Sequence, residues 1–254
     1  MHLSQPPHYP TPQRDLSPAL EILYFSLSIL CGFVLFGISY RLLSLLITDQ
    51  LLCRAIAQNI FFFGSIALIY TLFRFGKRYR QALGLTRLQS IITPKNRVIE
   101  ICIILGGTLF GFILSLLVQS LFQSLFSTIH GKLGDWLAQD IQRSHEVLHY
   151  LQKYQAVSSR IIQILIFGVL TGFCEELVMR GSLQPLLIRI TKNTHWGIIL
   201  TSILFSLLHL SLLNFIPILI LSLWLGYLRH YSGSIILGVL IHILNNSLAL
   251  FQSL

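Results

Sequence analysis

The chain has little charge. Only 11% of its 254 residues are charged and 54% are hydrophobic, whereas a soluble domain carries about a quarter charged residues. That scarcity, with apolar runs along most of the length and a mean hydropathy of +0.73, makes lipid the main solvent and excludes an ordinary soluble domain. Acids are scarcest: nine Asp and Glu stand against eighteen Lys and Arg, for a net charge of +9. Nucleic acid is not the implied partner, because the basic residues sit between apolar runs, where they orient helices against the membrane.

Other absences narrow the reading further. No CxxC pair occurs. Cys31, Cys53, Cys102 and Cys174 lie in or beside apolar runs and read as small buried hydrophobes, so no disulfide framework or thiolate metal site is implied. There is no HExxH zinc signature and no Ser-His-Asp order. No run alternates as a membrane barrel strand would, and no internal repeat is visible. All-α is the fold class that remains. The first apolar run is too long for a signal-peptide core and lacks a small-residue cleavage site, so it is expected to be retained.

What is present is a polytopic transmembrane helix bundle of seven expected spans, with room for an eighth short helix. The spans are Ala19–Ile47, interrupted near Arg41, then Ile60–Phe75, Val98–Phe126, a fourth starting near Ile161, Trp196–Leu213, Phe215–Leu228 and Ser234–Leu250. The chain divides into a disordered cytoplasmic tail over residues 1–18, amino-terminal membrane helices over 19–158, and a catalytic membrane core over 159–254. Between Arg74 and Arg97 the chain is strongly basic and holds no acid, which marks that loop as inside. Arg189 and Lys192, then Arg229 and His230, mark two further inside turns. Ser127–Ser158 mixes both signs, belongs outside, and is expected to form an amphipathic helix in which His145 and His149 are solvated. This scheme places the amino terminus inside, the carboxyl terminus outside, and Arg41 and Arg54 outside as well.

The last third concentrates polar groups that are costly in a bilayer, at about 2.5–3.5 kcal/mol each for a charge at mid-depth. Glu176 and Arg180, four apart, share one helical face. Glu175 is rotated by about 100° from Glu176 and is free to point elsewhere. The fifth span carries Phe205-x-x-x-His209, and the seventh carries His242-x-x-x-Asn246. Taken singly, each motif also reads as an interhelical ion pair, a packed histidine or a polar clamp. Depth links them. From the inner surface, Glu175 lies about 21–25 Å along its helix, His209 about 20 Å and His242 about 15–18 Å. Packing alone gives no reason for that coincidence. Amide hydrolysis needs an activated water and hydrogen-bond donors for the developing oxyanion, and a carboxylate, two imidazoles and a carboxamide meet those needs.

The order Glu-Glu-x-x-x-Arg, Phe-x-x-x-His, His-x-x-x-Asn over about Ile161–Leu250 resembles the CAAX protease and bacteriocin-processing family, which includes the type II CAAX prenyl endopeptidases and many bacterial intramembrane proteins. Arg180-Gly181 and Gly233-Ser234 are similar to it too. The resemblance implies an intramembrane endopeptidase in which Glu175 and His209 activate a water, His242 and Asn246 form the oxyanion hole, and Glu176, Arg180 and Phe205 support them. It implies a multi-pass protein of a bacterial cytoplasmic membrane, with membrane lipids and a membrane-associated peptide or protein, prenylated in the CAAX case, as partners. The substrate is expected to reach the inner side of the bilayer. No cofactor is expected; the alternative is zinc held by Glu175, His209 and His242. A non-catalytic relative, acting in bacteriocin self-immunity or as a scaffold, is the second reading, and a proton-coupled carrier the third.

Overall fold

The computed structural model describes residues 16–85, 97–126, 131–153 and 156–251. Residues 1–15 of the tail expected over 1–18, and residues 86–96 of the basic loop, lie outside the described residues, while Pro18 already begins α1. Eight helices and no strand are found among the described residues: α1 Pro18–Leu43, α2 Gln50–Ala82, α3 Arg97–Phe126, α4 Lys132–Lys153, α5 over 157–191, α6 Thr194–Leu208, α7 Leu212–Ser232 and α8 Ile236–Phe251. Five helical runs are long and apolar enough to cross a membrane, while Thr194–Leu208 and Ile236–Leu250 are shorter apolar helices. Exposed leucines and phenylalanines such as Leu30, Phe33, Leu105 and Leu117 face outward, as a lipid-facing belt requires. Cys53 and Cys174 are buried as expected; Cys31 and Cys102 instead lie on the exposed face.

Local chemistry sets the helix bounds. Ser17, Asp49, Asn193 and Ser211 each cap a helix by accepting a backbone N–H. Asp49 starts α2 ten residues before the expected Ile60. The largest correction concerns α6. The expected Trp196–Leu213 span ends at Leu208, because Leu210 takes a left-handed φ of 50° and Ser211 starts α7. His209 therefore caps the carboxyl end of α6 instead of lying within a helix. Fifteen residues rise only about 22 Å, less than the roughly 30 Å hydrocarbon thickness, so α6 is too short to cross a bilayer by itself.

Small residues let α5 approach its neighbours. A Cβ on Gly172 would lie 3.1 Å from the backbone nitrogen of Ile243 on α8, and Gly168, one turn earlier, faces Ser247. Glu176 continues this i, i+4 row, so the two glycines bring the carboxylates close to His242. On the α6 side, a Cβ at Gly197 would come within 2.7 Å of the Ile188 Cα and backbone nitrogen. Backbone cannot yield as a side-chain tip can. Gly197→Ala is expected to destabilise the bundle by about 1–3 kcal/mol, read as a lower thermal-aggregation midpoint in detergent; an unchanged midpoint would refute this close contact.

The bundle has two chemically distinct ends. At one, Glu21 pairs with Arg74 and, at 2.8 Å, with Arg189, whose Nη2 donates to the Leu16 carbonyl at 2.6 Å. At the same end, Arg229 faces Ala82 and Gly84, and the Gly84 carbonyl accepts from the Ile235 nitrogen at 3.1 Å. At the other end, Tyr40 donates to Gln50 at 2.6 Å, Tyr150 donates to Asp49, and the expected amphipathic helix, α4, packs against the start of α7. There the buried Asp140 accepts from the Ser211 hydroxyl at 3.0 Å and the Leu213 nitrogen at 3.4 Å. Asp140→Asn is expected to cost about 1–2 kcal/mol, detectable as faster proteolysis of α4.

Candidate functional site

α5 carries the acidic part of the site, and its backbone is irregular there. Regular α-helical turns over Thr171–Val178 are flanked by wider π-helical turns at Ile164–Leu170 and Met179–Leu183. Such turns re-aim side chains and recur at functional positions. Thr171 at the first junction donates to the Ile166 carbonyl and accepts from Asn59 on α2 at 2.9 Å.

Glu176 is fully buried. Its Oε1 accepts from Arg180 Nη1 at 2.7 Å and from His242 Nδ1 at 3.0 Å. Arg180 Nη2 donates to the Ser222 hydroxyl at 2.9 Å and to its carbonyl at 3.1 Å, which ties α5 to α7. The Arg180 guanidinium also lies 5.0 Å from the Phe205 ring centre. Gly238 leaves room for the second oxygen of Glu176: a Cβ there would be 3.1 Å from Oε2.

A carboxylate only accepts, so the Glu176 contact puts the Nδ1 proton on His242. Its Nε2 then faces Glu175 Oε2 at 3.4 Å. A proton on either atom would turn this approach into a hydrogen bond. Phe205 packs edge-on against both imidazoles, at 4.7 Å from His209 and 5.8 Å from His242. The Phe205 carbonyl accepts from His209 Nδ1 at 2.8 Å. A carbonyl cannot donate, so His209 Nε2 is the lone-pair nitrogen, free to act as base or acceptor.

Two cavities meet at His209. The smaller, about 250 Å³, is lined by Glu175 and His209 together with Gln58, Phe63, Met179 and Phe205. The larger, about 520 Å³, is lined by His209, Asn245 and Asn246, and by Asp140, Arg143 and Asn214 toward α4. Glu175, Glu176, Arg180, Phe205 and His242 thus form one connected cluster, and His209 shares a cavity with Glu175. Asn246 stands apart, one turn beyond His242, in the larger cavity. Among the described residues its amide nitrogen meets the Phe167 carbonyl at 3.5 Å.

Among the described residues no three His, Cys, Asp or Glu side chains gather as a metal-ligand set. His242 directs one nitrogen at each glutamate, at 3.0 Å from Glu176 and 3.4 Å from Glu175.

Sequence reasoning missed Asp140, Arg143, Asn214 and Ser222. Asp140 and Arg143 read as solvated residues of a polar segment, and nothing in a single sequence signals that α4 folds onto the cavity. Ser222 is an unremarked serine in an apolar helix.

Residues 157–248 match the family model described as Type II CAAX prenyl endopeptidase Rce1-like. The match spans α5 through most of α8 and includes all seven motif residues. Over this segment the chain is similar to the CAAX protease and bacteriocin-processing family. No curated protein and no solved structure matches the chain.

Proposed function

We propose that the protein is an intramembrane endopeptidase that hydrolyses a peptide bond of a membrane-associated peptide or protein with a water activated by Glu175 and His209. The observation that carries this reading is the shared cavity of Glu175 and His209, with His242 held between the two glutamates.

In the resting site one proton lies between Glu175 and His242, as carboxylate and imidazolium. A water beside Glu175 and His209 Nε2 gives its proton to Glu175 as its oxygen bonds to the substrate carbonyl carbon. The carbonyl oxygen becomes an oxyanion and accepts from His242 Nε2–H and, once its amide turns, from Asn246 Nδ2. Collapse of the tetrahedral intermediate breaks the C–N bond. The leaving amine takes the proton from Glu175, which restores the starting state. Glu176 and Arg180 act as positioning residues: they fix the His242 ring and keep Nδ1–H directed away from the reacting atoms.

The test is a cleavage assay of the reconstituted full chain on membrane-presented peptides, with Glu175→Ala and His209→Ala compared with the unaltered enzyme. Loss of cleavage in both supports the proposal; full activity in both ends it. A biological effect that survives loss of Glu175 would point to the non-catalytic reading.

A further inference from the structure

We infer that the catalytic chamber opens at the extracytoplasmic face of the membrane, so that its substrate is a peptide segment presented from the outer leaflet. This inference rests on the endopeptidase reading for the word substrate, but its geometry stands without it.

The two ends of the bundle differ in charge. The end joined by Glu21, Arg74, Arg189 and Arg229 also carries Lys77, Arg78, Arg80 and Lys192, and the connection beyond it adds Arg87 and Lys95. Lysine and arginine in short loops are retained on the cytoplasmic side, so the end richer in them faces inward. The opposite end offers Arg41, Arg54, Lys132, Arg143, Lys153 and Arg160, interspersed with Asp49, Asp135, Asp140 and Glu146, and so holds fewer basic residues than the first.

The cavities belong to this second end. Asp140, Arg143 and Ser144 of α4 line the larger one, together with Ser211 and Asn214 of the turn after α6. The Arg143 side chain on its wall is 54% exposed, so the wall reaches solvent there. His209 joins this cavity to the smaller one, where Glu175 lies near the middle of α5. From the basic end, the route to Glu175 is closed by packed side chains, among them Leu83, Met179, Leu186, Ile235 and Val239. A chain entering past α4 meets His209 first and Glu175 second. The expectation of a substrate at the inner side is therefore revised, and a cytosolic lipidated carboxyl terminus is not what this opening receives.

The experiment is cysteine labelling in spheroplasts of a bacterial host expressing the full chain, using a membrane-impermeant maleimide. Gln142→Cys on α4 and Ala249→Cys on the cavity wall are compared with Gln81→Cys at the basic end; all three positions are exposed. The expected result is labelling of Gln142→Cys and Ala249→Cys in intact spheroplasts, with Gln81→Cys labelled only after permeabilisation. The reverse pattern would overturn the inference and leave the endopeptidase reading standing. Cleavage that fails while the expected labelling pattern holds would do the opposite. If Gln142→Cys fails to accumulate, Ala249→Cys gives the same reading.

Discussion

Glu175→Gln is expected to abolish cleavage, lowering kcat by about 10³-fold or more, while the protein still folds. The amide keeps the volume of the acid but cannot take a proton from water. The fold has little reason to respond, because among the described residues the Glu175 carboxylate makes one polar contact, the 3.4 Å approach to His242. Steady-state kinetics with a thermal-stability profile checks both halves of the statement. A variant that keeps even a tenth of the activity would remove Glu175 from the role of base.

Arg180→Met is expected to have the largest effect on stability. Arg180 and Glu176 are both buried and joined at 2.7 Å, and Arg180 also holds two acceptors on Ser222. Breaking a buried pair by removing one partner strands the other charge and costs about 3–5 kcal/mol. Arg180→Lys is expected to recover little, since one ammonium cannot serve Glu176 and both Ser222 oxygens in a fixed fork. The double variant Glu176→Gln/Arg180→Met is expected to be more stable than Arg180→Met alone, because no buried charge is left without a partner. Thermal aggregation in detergent ranks the three. If Arg180→Met matches the unaltered protein, neither the buried pair nor the Ser222 hydrogen bonds that tie α5 to α7 stabilise the bundle.

The motif residues were legible because charge is costly in lipid. Glu175, Glu176, Arg180, His209 and His242 stood out against apolar helices, and spacing alone paired Glu176 with Arg180. Periodicity also marked the amphipathic α4. The partner across the bundle was not legible: that Glu176 would orient His242 depends on α5 lying against α8 at Gly168 and Gly172, and single glycines in membrane helices carry no address. The end of α6 was missed because Leu208-His209-Leu210 continues an apolar pattern, whereas the break comes from Ser211 capping the next helix and from a left-handed leucine. The site's entrance was hidden for a similar reason. Asp140 reads as a solvated acid until α4 is seen to pack against α7.

The most direct test of the account is a double-mutant cycle on Glu175 and His209, with cleavage rates for Glu175→Gln, His209→Ala and the two combined. If both groups act on one water, each single change removes nearly all activity and the combination is no slower than the slower single variant. Losses that multiply in the double variant would mean that the two residues act on separate steps, and the shared-water mechanism would be wrong.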